Sequence, residues 1–281
     1  MVIKSADGVD IPLVVYNTDE NHIKGVVIIS HGFGEHSRCY EELAEHFTSN
    51  HYACVVFDQR GHGSLKTVPP ERRAKMLGII PGYDSFLDDI GSIVAALKQR
   101  SPTIPVILYG HSMGGNIILN YLLRRDQSNI ACAVAEAPWL GLYKKVPAPV
   151  VLFAKIAGKL SGSLAIYNKL QASDITGDPE RVEGYWKDPL YHNRISLRMF
   201  AGINDGCNFA INNAAGLSIP LFIGAANHDR IVSNKAIRAF VEAGAPGLVL
   251  KEYESHHAIH NDISREEFFR DVIAFLDSYI L

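Results

Sequence analysis

The chain has 281 residues, 47% of them hydrophobic and 20% charged, with a formal net charge of −3. That length and balance suit one α/β domain that buries a large core without disulfide or metal staples and has room for an inserted sub-domain. The slightly acidic charge excludes the broad basic field of a nucleic-acid binder, and no apolar run approaches the roughly 20 residues that span a bilayer.

The N-terminal Met1-Val-Ile-Lys-Ser-Ala-Asp-Gly8 has no basic stretch followed by an apolar one, so no signal peptide is read. Residues 8–16 look like an edge strand of an opening hairpin. The run Gly-Val-Val-Ile-Ile-Ser at 25–30 is continuous and β-branched, which marks a strand buried on both faces. Helical periodicity follows at 40–49, then a second buried strand at 53–57 that ends in Asp58-Gln-Arg-Gly-His-Gly-Ser64. After a polar, proline-bearing loop, residues 83–100 read as a helix with apolar positions at Phe86, Ile90, Ile93, Val94 and Leu97.

Next comes the most informative stretch. Val106 to Tyr109 reads as a buried strand, Gly110-His-Ser-Met-Gly114 as a tight turn, and the residues from Met113 as an apolar helix. Glycines at 110 and 114 let strand and helix close around a crowded backbone, so Ser112 sits strained and exposed at the strand end. The helix directs free N–H groups and the positive end of its dipole at the same place. This is the arrangement of a hydroxyl that attacks an acyl carbonyl.

A further strand at 130–136 continues the alternation, which predicts right-handed crossovers and a mainly parallel sheet. From Pro138 to about Leu217 the strand signals stop, and helical pieces are expected near 146–160, 163–171 and 190–215. The alternation resumes with a strand at 219–224, a helix at 234–243, a strand at 248–253 and a helix at 265–279. The expected organisation is a core of residues 1–137 and 218–281 with a helical lid, 138–217, inserted before the strand that carries the acid. Cys39, Cys54, Cys132 and Cys207 have neither metal nor redox spacing, so reduced structural thiols and a cytoplasmic protein are expected.

A serine hydroxyl needs a base, and the base needs a group that fixes its tautomer. Asp229, just after the 219–224 strand, answers for the acid; the alternative is a loop aspartate capping the next helix. Asp205 is a weaker rival inside the lid segment. The base must come from Tyr253-Glu-Ser-His-His-Ala-Ile-His260, where His257, His256 and His260 compete. These histidines could also suggest a metal, but no carboxylate or histidine converging from elsewhere is evident, so neither metal nor cofactor is expected. Two N–H donors for a developing oxyanion are expected from Met113, next after the nucleophile, and from Phe33 in the glycine-flanked loop 30–36.

His31-Gly-Phe-Gly-Glu-His-Ser37, Asp58-Gln-Arg-Gly-His-Gly-Ser64 and Gly110-His-Ser-Met-Gly-Gly115 together resemble the monoacylglycerol lipase and lysophospholipase branch of the α/β-hydrolase fold, among the serine aminopeptidase S33-like hydrolases. The resemblance runs from about residue 7 to the C-terminus and is weakest at about 140–180. It implies Ser112 as nucleophile, Asp229 as acid, His257 as base, and Phe33 and Met113 as the oxyanion hole. His257-Ala-Ile-His260-Asn-Asp262 matches the family's His-x-x-His-plus-acid pattern, which selects His257 among the three. The resemblance further implies that Glu35, Arg38 and His260 hold a polar head group. One departure is that Arg38 stands one place earlier than the family's arginine, with Cys39 in that position. Asp58, Arg60 and His62 are read as supports for their own loop.

The implied activity is hydrolysis of the ester of a single-acyl-chain lipid, a monoacylglycerol or lysophospholipid. Small-ester, thioester or peptide hydrolysis is the alternative within the same chemistry, and a ligand-binding sensor the alternative outside it. As a helix, 146–160 places Leu152, Ile156 and Leu160 on one stripe with Phe153 beside it. That stripe suits either the anionic surface of a bilayer, with Lys155 and Lys159 nearby, or ordinary packing on the domain.

Overall fold

The β-branched runs of the sequence form the centre of a single sheet in the computed structural model, which describes residues 1–17, 23–65, 68–244 and 246–280. In chain order the elements begin β1 (Val2–Lys4), β2 (Asp10–Tyr16), β3 (Gly25–Ser30), α1 (Glu41–Ser49), β4 (Tyr52–Phe57), α2 (Pro70–Met76) and α3 (Asp84–Arg100). They continue β5 (Val106–His111), α4 (Met113–Arg124), β6 (Cys132–Glu136), α5 (Ala148–Leu160), β7 (Ala165–Tyr167), α6 (Ala172–Ile175), α7 (Pro179–Tyr185), β8 (Arg194–Ser196) and α8 (Leu197–Asn213). The chain closes with β9 (Leu221–Ala226), α9 (Asn234–Ala243), β10 (Leu248–Tyr253) and α10 (Arg265–Tyr279).

Eight strands pair in the order β1-β2-β4-β3-β5-β6-β9-β10. β1 and β2 run antiparallel, β2 is antiparallel to β4, and the pairings from β4 through β10 are parallel. Alternate residues of each central strand serve opposite faces, as the two-residue strand period demands. Val26 and Ile28 join the cluster under α3, α4, α8 and α9, whereas Val27 and Ile29 join the cluster under α1 and α10. Parallel connections place the carboxyl ends of β3, β5, β6, β9 and β10 along one edge of the sheet, where the functional loops gather.

The segment 138–217 differs from expectation in three places. Residues 163–171 are not helical, because Ala165–Tyr167 pairs antiparallel with Arg194–Ser196 as a two-stranded ribbon. A short Ile-Tyr run carries no period of its own, and a partner strand decides it. For the same reason the long helix begins at Leu197 and not near 190; Ser196 caps it by accepting from the Met199 N–H at 3.1 Å. Third, α8 lies on the core: Met199, Ile203, Cys207 and Ala210 belong to its main apolar cluster, and Asn120 Nδ2 donates to the Gly206 carbonyl at 3.1 Å. Outside the segment, the proline-bearing loop holds an unexpected helix, α2, with proline at its first turn, where the missing N–H costs no bond.

α5 meets α8 through its small residues. Ala154 and Gly158 are buried there, and a Cβ on Gly158 would lie 2.7 Å from the Arg198 amide nitrogen. Its large residues turn outward instead: Leu152 is 58%, Phe153 61% and Leu160 85% exposed. The stripe is therefore not packed on the domain.

Candidate active site

The site is built where β5 turns into α4. A Cβ on Gly114 would stand 1.9 Å from the Ser30 carbonyl oxygen, and one on Gly110 2.5 Å from the Gly114 carbonyl oxygen. Only glycine permits so close a passage at both positions. Between them Ser112 has φ 52° and ψ −113°, a conformation that costs a side-chain-bearing residue roughly 1–3 kcal/mol. Its N–H donates to the Glu136 carbonyl at 2.9 Å, and its own carbonyl accepts from Trp139 at 2.9 Å and Asn116 at 3.0 Å. The strain is held by β6 and the first turn of α4.

His257, in the loop after β10, has Nε2 2.8 Å from Ser112 Oγ and Nδ1 2.6 Å from Asp229 Oδ2. The other carboxylate oxygen of Asp229 accepts the N–H groups of Ile231 at 2.7 Å and Val232 at 2.8 Å. With Nδ1–H donated to the carboxylate, Nε2 is left to accept the serine proton. All three side chains are buried. Burial disfavours the charged imidazole, but the Asp229 charge and hydrogen bond outweigh it. Glu35 and Glu136 add to them, so the His257 pKa lies above its ordinary 6.5.

The competing residues have other partners. His256 is engaged by Asp262, with Nδ1 3.1 Å from Oδ2. His260 is held by Glu136, and Asp205 pairs with Lys155 at 2.5 Å. α9 is capped by Ser233, which accepts from the Ala236 N–H at 3.3 Å, so Asp229 is not its cap. Asp58 accepts from the Ser37 and Ser64 N–H groups, and Arg60 binds Asp7 and Asp89; both tie loops together.

A cavity of about 490 Å³ opens over Ser112 and His257. Phe33, Trp139, Leu142, Ile195, Phe200 and Ile231 supply much of its apolar lining, with Lys144, Lys169 and Arg230 among its charged residues. Met113 follows the serine directly and Phe33 lines the same cavity, and among the described residues neither N–H donates to a loop or turn carbonyl. Of the three expected head-group residues, Glu35 lines the cavity, with Oε2 accepting from the Gly32 N–H at 2.8 Å and the Tyr40 hydroxyl at 2.6 Å. Arg38 is exposed on the turn Ser37–Tyr40 and is not among the lining residues. Nor is His260, whose N–H and Nδ1 both meet the Glu136 carboxylate.

Sequence reasoning missed His111 and Glu136. His111 lies inside the Gly-x-Ser-x-Gly turn, with its ring 4.9 Å from that of His257. Glu136 is an acid at the end of an otherwise apolar strand, a signal present in the sequence but unread. The two converge on His260, and donor atoms of His111, Glu136 and His260 lie within 4.8 Å of one another, residue types that could hold a metal ion. In the structure the Glu136 oxygens already accept from His260 and Tyr109. The histidine loop thus does meet a carboxylate from elsewhere in the chain, which its spacing did not reveal.

The family model described as serine aminopeptidase, S33, matches residues 21–264. The chain belongs to this hydrolase family. Over 258 residues it is 30% identical to an uncharacterized abhydrolase domain-containing protein of Dictyostelium discoideum, covering 90% of this chain but only 26% of that longer protein. To a monoacylglycerol lipase of Mycolicibacterium smegmatis it is 28% identical over 272 residues, covering 95% of this chain and 94% of the relative. The crystal structure of a Paleococcus ferrophilus monoacylglycerol lipase superposes with a TM-score of 0.85 at 27% identity, covering 96% of this chain and 100% of that one. The α/β-hydrolase fold expected from the motifs is the fold present, and this S33-family member is a serine hydrolase.

Proposed function

We propose that this hydrolase cleaves the ester of a single-acyl-chain lipid, a monoacylglycerol or lysophospholipid, through an acyl-serine intermediate. The observation that carries this reading is the continuous contact from Asp229 through His257 to Ser112, opening into a cavity with a largely apolar lining. His257 takes the Ser112 proton as Oγ attacks the acyl carbonyl, and the oxyanion is received by the N–H groups of Phe33 and Met113. Collapse breaks the bond to the alcohol, which leaves with the proton from His257. Water, deprotonated by the same imidazole, then attacks the acyl-serine and releases the fatty acid.

One observation favours a phosphate-bearing head over glycerol alone. Lys144, Lys169 and Arg230 line the cavity as exposed cations against two acids, the buried Glu35 and the partly exposed Asp174. Glu35 lines the same cavity, while Arg38 and His260 would act there only indirectly. The exposed face of α5, and Ile166, which is exposed and lines the cavity, support a contact with the bilayer surface that supplies the substrate. No described helix is long and apolar enough to cross a membrane. A cytoplasmic placement with peripheral contact belongs to the same proposal; its support is the free thiol state of all four cysteines.

The test is fatty acid release from one acyl chain carried on glycerol, on glycerophosphate, on glycerophosphocholine and on a small alcohol, with Ser112→Ala alongside. Turnover of the glycerol or phosphate-bearing esters, lost in Ser112→Ala, is expected. Turnover of the small ester alone would replace the lipid reading with a small-ester one. No turnover, together with no labelling of Ser112 by a fluorophosphonate, would leave a ligand-binding sensor.

A further inference from the structure

Beside the serine and its base lies a set of buried polar side chains that the reaction does not consume. Its centre is Glu136, the last residue of β6 and fully buried. Its backbone carbonyl accepts the Ser112 N–H at 2.9 Å. Its carboxylate accepts the His260 N–H at 2.9 Å, meets His260 Nδ1 at 2.8 Å, and accepts the Tyr109 hydroxyl. One residue thus holds both the backbone of the serine and, three residues along from His257, the loop that carries the base. The His260 ring is fixed further by stacking on Tyr40, with centroids 4.8 Å apart, and by its edge contact with His111 at 5.1 Å.

A strand end facing a core would be occupied more cheaply by an apolar side chain. A fully buried carboxylate is costly, and a buried ion pair is weak evidence of a stabilising role. Tethering one loop to another is a use that leucine cannot serve. We propose that Glu136 is a positioning residue for the hydrolytic base, acting through His260 to hold His257 over Ser112 and contributing, with Glu35, the buried negative charge behind the imidazole. The proposal rests on the reading of His257 as base given above.

The groups facing His257 set the expected pH response. Ser112 and His111 approach from β5 and its turn, Asp229 and Arg230 from the loop after β9, and Glu35 and Tyr40 from the β3–α1 connection. Glu136 comes from β6 and His260 from the base's own loop. Lys169 and Asp174 line the cavity from the segment after α5. Glu35 and Glu136 are both held below the ordinary carboxylate range, burial being opposed by the neighbouring histidines and hydrogen bonds, so both are anions at neutral pH. Removing one of these charges lowers the His257 pKa.

The experiment is steady-state hydrolysis of a water-soluble short-chain ester from pH 5 to 9 by wild type, Glu136→Gln, His260→Asn and the double variant. Glu136→Gln keeps the shape and removes the charge. Its kcat should fall about ten- to a hundredfold with KM within about twofold, the scale of a small misplacement of a reacting group. The acid limb of kcat/KM should move to lower pH, and Glu136→Asp should return it toward wild type. If Glu136 acts through His260, the double variant should lose no more than the worse single one. Wild-type kcat and an unmoved acid limb in folded Glu136→Gln, or losses that multiply in the double variant, would overturn the proposal. Should Glu136→Gln not fold, His260→Asn decides: kcat must fall with KM held, and a wild-type kcat overturns the idea. Failure of the hydrolase reading is separate, because wild type would then neither turn over ester nor be labelled at Ser112.

Discussion

Lys155 Nζ lies 2.5 Å from Asp205 Oδ1, so the cation in the middle of α5 is turned back toward α8. The outer face of α5 is left to Leu152, Phe153, Ile156 and Leu160. A surface helix in water ordinarily does the reverse, hiding its large apolar side chains and exposing its charges. An apolar face turned to solvent is what a bilayer, not water, would stabilise.

Leu152→Ser/Phe153→Ser should therefore lower activity on vesicle-borne substrate by roughly tenfold or more, since each side chain loses up to about 1.5–3 kcal/mol of apolar transfer. Folding stability should shift by only about 0.5 kcal/mol per site, because neither residue is packed. Hydrolysis of a soluble short-chain ester should be unchanged. Equal losses on vesicle and soluble substrate would remove the bilayer contact. Lys159, exposed and free of the Asp205 pairing, is the lysine whose reversal to glutamate should matter only with anionic vesicles.

Ser112 supplies a second expectation from its backbone alone. At φ 52° the serine holds a conformation that glycine adopts without strain. Ser112→Gly should abolish turnover yet raise stability by about 1 kcal/mol, the roughly 1–3 kcal/mol of strain relieved less the entropy that glycine loses on folding. Thermal unfolding should rise by about 2–4 °C in a chain of this size. A lower melting temperature than wild type would show that the turn is not strained.

The base should set the pH dependence of hydrolysis. On the proposed mechanism only neutral His257 accepts the serine proton; burial disfavours its charged form, but Asp229, with Glu35 and Glu136, raises its pKa above 6.5. Rates should climb as pH rises through a midpoint above 6.5 and then level. A profile flat between pH 5 and 8, measured as kcat/KM on a soluble ester, would contradict this assignment of the base.

Stability should respond to acid in the same direction, through different histidines. Burial holds His31 and His62 below the ordinary value, with neighbouring histidines adding to the effect at His62, and holds His192 at about 4. A histidine with a lowered folded pKa contributes stability that is complete above its unfolded pKa and is lost as pH falls below about 6.5. His192, held at about 4, gives up roughly 1.4 kcal/mol per pH unit in that range, and His31 and His62 act in the same direction; the raised His257 works the other way and recovers part of the loss. Urea unfolding should show a lower stability at pH 5.5 than at pH 7, and His192→Gln should flatten the slope. A slope unchanged by that substitution would mean another group carries the acid response.

The central strands, the helices flanking the sheet and the turn at Ser112 were legible because each announces itself locally. Continuous β-branched runs bounded by turn residues favour buried strands, and two glycines flanking a serine between strand and helix have a steric cause, met at Gly110 and Gly114. The order of Ser112, Asp229 and His257 along the chain was readable because strand ends in a parallel sheet fall on one edge. What the sequence could not carry is which side chains meet across that edge. His257 and His256 are neighbours in sequence and chemically alike; only the fold puts one against Ser112 and the other against Asp262. His260 and Glu136 are 124 residues apart, and nothing local to either predicts that they bond. The ribbon of β7 and β8 and the outward face of α5 were hidden for the same reason. Short apolar runs take their conformation, and apolar stripes their direction, from partners that exist only once the chain has folded.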